Sequence, residues 1–323
     1  MSTKEELLNL FEKNPDTYIS GQKIGDTLSV SRNAVWKAVE QLRSEGYVIE
    51  SKPRAGYLLT EKPDILSPFE ITMKLAHPCR LKLYDKVSST ITVAEQDEPS
   101  DIPLYVVADS QTAGQGRLGR SFASPAGSGL YLTLSVKRDF SIDQALYVTM
   151  ASAVATARAI EKICKVHVDI KWVNDLFLNG KKVCGILTKA QTNLEIGQIN
   201  KIIIGIGINC FPGNFPPELE NIAGCISGKT GSFSRNELAA EVFNQTMDVL
   251  QQLDSKEFMD EYRNRCFILG KLISVHPHLD DRSVKAYALD IDEHGGLVVR
   301  YAEGDKEGET ATLTTGEVSI RLP

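Results

Sequence analysis

GQGRLGR, at Gly114–Arg120, is the stretch on which the interpretation of this sequence depends. Its three glycines match the dinucleotide-binding pattern GxGxxG, and the same residues nearly match a phosphate-binding P-loop. Both patterns require a helix that begins at the last glycine and holds phosphate at its N-terminus. The residues that follow, SFASPAGSG, cannot begin a helix. The stretch therefore predicts a loop that holds an anion through the guanidinium groups of Arg117 and Arg120, although a solvated surface loop has the same composition.

The composition is that of a water-soluble protein with more than one domain. The chain has 323 residues and a net charge of -6, which predicts two or three domains and excludes a protein that is basic throughout. One local DNA-reading module stays compatible with that charge. No apolar run is long enough to span a bilayer, and the N-terminus has no signal peptide, so we expect a cytoplasmic protein without membrane contact. The six scattered cysteines predict buried thiols rather than disulfides or a metal site.

The N-terminal residues have the order of elements of a winged helix-turn-helix domain. Apolar spacing predicts three helices, of which the second is capped by Ser20 and the third, Arg32–Ser44, by Ser31. A hairpin with a basic tip follows at Val48–Leu59. A small helical protein-interaction domain would share this pattern, but the order of helix and wing favours DNA binding. The residues expected to contact DNA lie on the outer face of the third helix and on the hairpin: Ser31, Arg32, Asn33, Trp36, Lys37, Lys52 and Arg54.

Turn-forming residues divide the rest of the chain into two further parts. Prolines and charged residues place one boundary near residue 65, and a change to short strands follows Gly270. The middle part contains strands that are apolar throughout, such as Leu104–Ala108, and a long apolar helix that is capped by Ser141 and extends to about Cys164. The last part holds five short strands, which predict a small β-barrel. The expected domains are 1–65, 66–269 and 270–323.

Charged groups from separate segments are expected to meet beside the loop. Asp175 follows a predicted strand, and a hairpin turn at Asn179–Gly180 directs Lys182 back toward it. Together with Arg117 and Arg120 they form an excess of cations over one carboxylate, which suits phosphoryl or nucleotidyl transfer. Asp175 would also be the place for Mg²⁺, held through water. The sequence shows no Ser-His-Asp set, paired carboxylates or metal cage, so hydrolysis and a protein nucleophile are unsupported.

A further strand, KIIIGIGINC at Lys201–Cys210, has one face without bulk. The period of two places Gly205, Gly207 and Asn209 on that face. Such a face predicts either a flat group that lies against the strand or a helix that packs close to it. The two interpretations are equally compatible with the sequence.

Three motifs resemble those of the bifunctional biotin protein ligases that also repress the biotin operon. GQGRLGR is similar to their GRGRxGR loop, KWVNDL at Lys171–Leu176 to their KWPNDL, and KKVCGIL at Lys181–Leu187 to their KxxGIL. With the winged helix and the barrel, the resemblance covers essentially the whole chain. The sequence departs from the family at Gln115, where an arginine is usual, and at Val173, where a proline is usual. We expect the first change to weaken retention of the adenylate and the second to alter only turn rigidity.

The resemblance implies an α/β (α+β) fold with a winged helix-turn-helix, a central mixed sheet with helices on one face, and an SH3-like C-terminal barrel. It implies an ATP-dependent biotin–[acetyl-CoA-carboxylase] ligase that makes biotinyl-5′-AMP from biotin and ATP with Mg²⁺. Biotin would then pass to a lysine of a carrier domain, such as those of acetyl-CoA carboxylase and pyruvate carboxylase. The adenylate would also be the corepressor of a ligand-promoted homodimer that binds operator DNA and represses genes of biotin biosynthesis and uptake.

The same resemblance implies roles for individual residues of this chain. Catalysis would depend on Lys182, Arg117, Arg120 and Asp175. Biotin would be bound by Ser89, Thr90, Gln111, Gly114, Gly116, Arg117 and Lys182. ATP or the adenylate would be bound by Arg120, Phe122, Asn209, Lys171 and Trp172.

Two other functions share part of this pattern. A repressor that senses biotin without any chemistry would keep the fold, but it has no need of both Lys182 and Asp175. A lipoate-type protein ligase would share the central domain. It should carry an RRxxGGG element, which this sequence lacks, and it has no reason to carry a winged helix.

Overall fold

The chain forms two compact units, Met1–Ile65 and Leu66–Pro323. The division of the second unit at residues 269 and 270 stays a prediction. Among the described residues, no helix is both long enough and apolar enough to cross a membrane. The computed structural model describes residues 2–137, 144–193, 198–276, 283–314 and 317–319.

The first unit is a winged helix-turn-helix, as the sequence predicts. The Ser20 and Ser31 hydroxyls cap its second and third helices by accepting hydrogen bonds from Lys23 N–H and Ala34 N–H. The apolar faces of the helices and the hairpin share one core, in which Leu7 is completely buried. The elements are α1 (Thr3–Glu12), α2 (Gly21–Leu28), α3 (Arg32–Ser44) and the antiparallel strands β1 (Val48–Lys52) and β2 (Gly56–Glu61).

The second unit is built on a seven-stranded mixed sheet. Its strands are β3 (Arg80–Tyr84), β4 (Leu104–Ala108), β5 (Gly129–Val136), β6 (Asp169–Lys171), β7 (Asp175–Leu178), β8 (Lys181–Asn193) and β9 (Gln198–Asn209). They lie in the spatial order β3-β4-β5-β9-β8-β7-β6. The first pair is parallel, and a helix connects its two strands; every other pair is antiparallel, and a tight turn connects β7 to β8.

Four helices share the core that covers one face of this sheet. The longest is apolar almost all round and deeply buried, as predicted, while Ser141, its predicted cap, lies outside the described residues. Tyr105 and Leu132 point toward these helices from neighbouring strands. The four are α4 (Pro68–Thr72), α6 (Gln144–Cys164), α7 (Arg235–Gln251) and α8 (Phe258–Arg265).

A short helix, α5 (Thr90–Glu95), lies on the opposite face and is an exception to the predicted arrangement of helices on one side. Its Ile91 and Ala94 pack against Val106 of β4 and Ile203 of β9. These strand residues alternate with those that face the large core, so they point to the other side of the sheet. Thr90, the first residue of α5, is itself buried.

The two glycines of β9 serve the two purposes that the sequence left open. A Cβ at Gly205 would lie 2.5 Å from Ile91, so this glycine lets α5 pack close to the strand. A Cβ at Gly207 would lie 2.4 Å from the ring of Phe122, so this glycine lets a flat ring lie against the strand. Both interpretations are therefore confirmed, one at each position.

The last strands form a five-stranded antiparallel sheet within the described residues, in the order β13-β12-β11-β10-β14. Its apolar side chains continue the core of the central sheet and helices. The indole N–H of Trp172 also donates to the carbonyl of Gly295, at 3.0 Å. The sheet is thus part of the second unit. Its strands are β10 (Leu272–His276), β11 (Val284–Ile291), β12 (Leu297–Tyr301), β13 (Thr310–Leu313) and β14 (Glu317–Ser319).

Candidate active site

A cavity of about 390 Å³ lies in the second unit beside the loop Gly114–Arg120. Strands β8 and β9 form its floor, and the corner before β7 forms one side. Ser89 and Gly114 are not in its wall. The other predicted residues of the ligase site do line it: Thr90, Gln111, Gly116, Arg117, Arg120, Phe122, Lys171, Trp172, Asp175, Lys182 and Asn209.

The glycine-arginine segment is a closed loop and not a helix start, as predicted. Its backbone folds back on itself because Gly116 N–H donates to the Arg120 carbonyl at 2.7 Å and Phe122 N–H donates to the Gly114 carbonyl at 2.9 Å. Only a single turn of 3-10 helix, Arg117–Gly119, interrupts it. This fold directs Arg117 inward, where its guanidinium donates to Asn174 Oδ1 at 3.2 Å.

At one end of the cavity, neutral polar side chains hydrogen bond to one another. The backbone N–H and the hydroxyl of Thr90 both donate to Gln111 Oε1, at 2.9 and 3.1 Å. Gln111 Nε2 in turn donates to Ser124 Oγ at 2.9 Å. Gly114 lies behind this contact, and a Cβ there would come within 2.8 Å of Ser124 Oγ. The hydroxyl of Ser89 is buried close by and has no hydrogen-bond partner among the described residues.

At the other end the groups are charged. Lys182 Nζ lies 2.7 Å from Asp175 Oδ1. The β7–β8 hairpin brings them together because Asn179 and Gly180 both have positive φ angles, of 51° and 76°, which suit a tight two-residue turn. Although the ion pair is short, Asp175 Oδ1 is buried and has no well-directed hydrogen bond among the described residues. The carboxylate therefore retains acceptor capacity for a further donor.

Asn174 and Asn209 complete this charged end, and the sequence analysis predicted only the second. Asn174 Nδ2 donates to the Ile186 carbonyl at 2.6 Å while its Oδ1 accepts from Arg117, so it ties the loop to β8. Asn209 Nδ2 donates to the Gly224 carbonyl at 3.0 Å, and its Oδ1 is buried without a partner among the described residues. The signal for Asn174 was its place directly before Asp175 in KWVNDL.

Gln115, which departs from the family pattern, is held by residues that the sequence analysis missed. Its Nε2 donates to Thr92 Oγ1 of α5 at 3.1 Å, and its Oε1 accepts from Lys189 Nζ of β8 at 2.7 Å. Lys189 also forms an ion pair with Glu95 at 2.7 Å. No motif marks Lys189, because its role depends on the register between distant segments.

A segment after β9 adds an apolar wall that the sequence analysis also missed. Its backbone is fixed against β8, since Lys182 N–H donates to the Ile222 carbonyl at 2.9 Å and Gly224 N–H donates to the Lys182 carbonyl at 2.8 Å. Opposite this wall, the Phe122 ring rests on Gly207 of β9. The wall residues are Phe215, Leu219, Ile222 and Ala223.

Three further side chains limit the chemistry of the cavity. Trp172 is only 4% exposed and its N–H is bonded to Gly295, so its ring contributes an apolar surface. Burial raises the pKa of the Cys184 thiol, which therefore stays protonated and is unsuited to nucleophilic attack. Within the described part of the chain, Asp175 is the only acidic side chain in the wall, and no cluster of three metal-ligating side chains occurs.

In the first unit, the residues predicted to contact DNA lie on the solvent-exposed surface. Trp36 of α3 is 52% exposed although it is large and apolar, and Lys52 lies over the Tyr18 ring at 5.8 Å. Arg43 donates instead to the Ile49 carbonyl at 2.6 Å, so it joins α3 to the wing. The Ser31 hydroxyl accepts the helix-capping bond and keeps its proton to donate. All the predicted residues are exposed: Ser31, Arg32, Asn33, Trp36, Lys37, Lys52 and Arg54.

Comparison with known proteins connects both units to one family. The biotin/lipoate A/B protein ligase family model matches residues 83–209, and an HTH domain model matches residues 3–58. The bifunctional ligase/repressor BirA of Bacillus subtilis (strain 168) is 41% identical over 235 residues, which cover 71% of this chain and 72% of that protein. BirA of Escherichia coli (strain K12) is 27% identical over 307 residues, covering 94% and 92%.

A solved structure supports the same relationship. Biotin protein ligase from Aquifex aeolicus, determined in complex with biotin and ATP, has a TM-score of 0.61 and 25% identity and covers 76% of this chain and 99% of that one. The three motifs of the cavity, the helix-turn-helix and the extent of the match to the Bacillus protein agree. The chain belongs to the family of bifunctional biotin protein ligase/repressors.

Proposed function

We propose that this chain makes biotinyl-5′-AMP from biotin and ATP in the cavity, with release of pyrophosphate, and transfers the biotin to a lysine of a carrier domain. One observation carries the proposal: the cavity has a neutral hydrogen-bonding pair, Thr90 and Gln111, at one end and cations with a single carboxylate at the other. Biotin has the matching arrangement, because its ureido ring is neutral and its carboxylate is at the far end of its tail. The residues that supply the charges are Arg117, Arg120, Lys171, Lys182 and Asp175.

In the first step, a carboxylate oxygen of biotin attacks the α-phosphorus of ATP. The bond from that phosphorus to the oxygen that bridges to the β-phosphate breaks, and pyrophosphate leaves. Lys182 neutralises charge as it develops on the α-phosphate, and Arg117 and Arg120 hold the phosphates under the loop. Asp175 offers the carboxylate that would hold, through water, an Mg²⁺ ion brought by ATP, and that ion would offset charge on the phosphates.

In the second step, the amine of the acceptor lysine attacks the acyl carbon of biotinyl-5′-AMP. The bond from that carbon to the phosphate oxygen breaks, AMP leaves, and the nitrogen loses a proton. Asp175 Oδ1 has no well-directed hydrogen bond among the described residues, so it is available to accept one from the incoming amine. The acceptors in this proposal are the carrier domains of acetyl-CoA carboxylase and pyruvate carboxylase.

For regulation, we propose that the adenylate is also the corepressor. A protein that retains it would form a homodimer in the cytoplasm and place two winged helices on the half-sites of an operator. Asn33 and Trp36 of α3 are exposed where a recognition helix contacts bases. Arg32, Lys52 and Arg54 are exposed where phosphates would lie, so they would supply affinity rather than specificity. In this scheme, residues 1–65 bind DNA, 66–269 catalyse ligation and 270–323 form an SH3-like domain.

The direct test is mass spectrometry of the small molecules present after the protein is incubated with biotin, ATP and Mg²⁺. We expect biotinyl-5′-AMP and pyrophosphate, and no adenylate when lipoate replaces biotin. Binding of biotin without either product would support a sensor without chemistry. Reaction of lipoate alone would show that the ligand is assigned wrongly.

The regulatory half is tested by removing residues 1–65, which form a compact unit of their own. We expect the remaining chain to form biotinyl-5′-AMP and biotinylate a carrier domain at close to the full-length rate, but to lose binding to operator DNA in a gel-shift assay. Operator binding by the shortened protein would place the DNA site in the second unit.

A further inference from the structure

Thr133 of β5 lies behind the neutral end of the cavity and does not form part of its wall. It is completely buried, in contrast to most threonines of a protein, and its hydroxyl donates to Thr90 Oγ1 at 2.8 Å. Thr90 and Gln111 lie in front of it and do line the cavity. Thr133 is therefore one layer behind the residues that contact a ligand.

The donor and the acceptor of each hydrogen bond in the series from Thr133 to Ser124 can be identified from the neighbouring groups. The backbone N–H of Thr90 can only donate, so the Gln111 atom that faces it must be the carbonyl oxygen Oε1. The Thr90 hydroxyl also lies within 3.1 Å of that oxygen and must donate its proton there. Its own oxygen then accepts the proton of the Thr133 hydroxyl.

The hydrogen bond on the other side of Gln111 also has a defined direction. Ser124 Oγ donates to the Phe122 carbonyl at 2.9 Å, so it must accept from Gln111 Nε2. One proton of that amide is thus used, and one remains. The Thr90 oxygen has donated its proton and accepted one, so a single lone pair remains on it. Toward the cavity, Thr90 can only accept a hydrogen bond and Gln111 Nε2 can only donate one.

We propose that Thr133 is a positioning residue that sets the specificity of this end of the cavity for a cyclic urea. By keeping the Thr90 hydroxyl turned toward Gln111, it presents a lone pair to a ring N–H of the ligand. The ligand carbonyl then meets the remaining amide proton of Gln111 and the buried hydroxyl of Ser89, which has no partner among the described residues. This proposal rests on the proposed function in one respect only: the ligand that contains the cyclic urea is taken to be biotin.

The test compares Thr133→Val with Thr133→Ser. Valine keeps the branched shape that suits a strand and removes the hydroxyl, whereas serine restores it. Biotin affinity is measured by calorimetry without ATP. We expect Thr133→Val to raise the Kd about fivefold, the size expected for one neutral hydrogen bond, and Thr133→Ser to stay near the wild-type value. The affinity for desthiobiotin, which keeps the urea, should fall by the same factor in Thr133→Val, whereas the KM for ATP should not change.

A double-mutant cycle separates positioning from a general loss of packing. If Thr133 acts through the Thr90 hydroxyl, Thr133→Val should have no further effect on biotin affinity in a Thr90→Val background. An additive effect there, an equal loss of ATP affinity, or an unchanged Kd for biotin in the Thr133→Val protein would overturn the proposal. Thr133→Ala provides a second variant without the hydroxyl if valine destabilises the fold, which thermal unfolding would reveal.

These outcomes are distinct from failure of the proposed function. A wild-type protein that binds biotin but forms no adenylate would contradict the ligase mechanism, while the calorimetric comparison of the Thr133 variants would still decide the role of this residue. A wild-type protein that does not bind biotin at all would contradict both.

Discussion

The two ends of the cavity differ in how far their polar groups satisfy one another. At the neutral end, Thr133, Thr90, Gln111 and Ser124 form a continuous series of hydrogen bonds, which leaves one amide proton of Gln111 and the hydroxyl of Ser89 for a ligand. At the charged end, Lys182 lies 2.7 Å from Asp175, yet Asp175 Oδ1 and Asn209 Oδ1 are buried without a directed hydrogen bond among the described residues. The groups of the neutral end are thus oriented by one another before a ligand arrives, whereas two buried oxygens of the charged end keep capacity to accept a hydrogen bond from a ligand.

This difference has a physical reason. A buried polar group without a partner costs about 1 to 3 kcal/mol, so a site retains such groups where a ligand or a transition state will satisfy them. A neutral ring offers weak hydrogen bonds and is recognised best by groups that are already oriented. Charge that develops during a reaction is stabilised best by groups that are already held in position around it.

The largest effect should follow Lys182→Met, which removes the cation from the charged end. We expect the rate of adenylate formation to fall about a hundredfold to a thousandfold, as when one transition-state donor is removed, while the Kd for biotin changes less than about threefold. Pyrophosphate release and calorimetry measure the two quantities. Lys181→Met is the matched control, because Lys181 is adjacent but directs its ammonium to the Glu220 carbonyl at 3.0 Å. A rate that survives Lys182→Met would remove this residue from the mechanism.

A smaller effect is expected for Asp175→Asn, which keeps the shape of the side chain and removes its charge. Loss of a hydrogen bond to a charged group should slow transfer of biotin to the carrier lysine about tenfold to a hundredfold. Adenylate formation should slow less, because Lys182 is still present. Single-turnover measurements starting from preformed adenylate isolate the transfer step. Equal slowing of both steps would show that Asp175 acts by positioning Lys182 and not on the amine.

The smallest effect is expected for Lys189→Met, which loosens the start of the loop without touching either end of the cavity. Lys189 holds Gln115 at 2.7 Å and is paired with Glu95, and both charges of that pair are partly exposed. Loss of one hydrogen bond and one partly exposed ion pair should together raise the rate at which biotinyl-5′-AMP is released by about threefold to tenfold. The rate can be followed by dilution of the preformed complex. Lys137→Met, which disrupts an exposed pair with Asp101, is the control, and an equal release rate in both variants would contradict this role.

Features that depend on neighbouring residues were predictable from the sequence. A few consecutive side chains predict the Ser31 cap and the Asn179–Gly180 turn, and the structure has both. The residues after Gly119 likewise predict that no helix begins there, and none does. The convergence of Lys182 on Asp175 was predictable for the same reason, because a single hairpin joins them.

Features that depend on the register between distant segments were not predictable in this way. The position of α5 on the second face of the sheet depends on the contact of Ile91 with Gly205, which is far away in the chain. Lys189 of β8 contacts Gln115 of the loop, and Thr133 of β5 donates a hydrogen bond to Thr90 of α5. Such partners share no local pattern, because each pair is brought together only by the folded sheet.

In the proposed mechanism, one end of the cavity binds the ligand and the other end carries out the reaction. The most direct test measures the biotin Kd and the rate of adenylate formation at saturating biotin, for Thr90→Val and Lys182→Met prepared in parallel. We expect a crossed result: Thr90→Val weakens biotin binding and leaves the saturated rate within about threefold, while Lys182→Met leaves biotin binding nearly unchanged and loses the rate. If Lys182→Met weakens biotin binding as much as it slows the reaction, or if Thr90→Val abolishes the saturated rate, binding and reaction are not separated between the two ends, which would contradict the proposed mechanism.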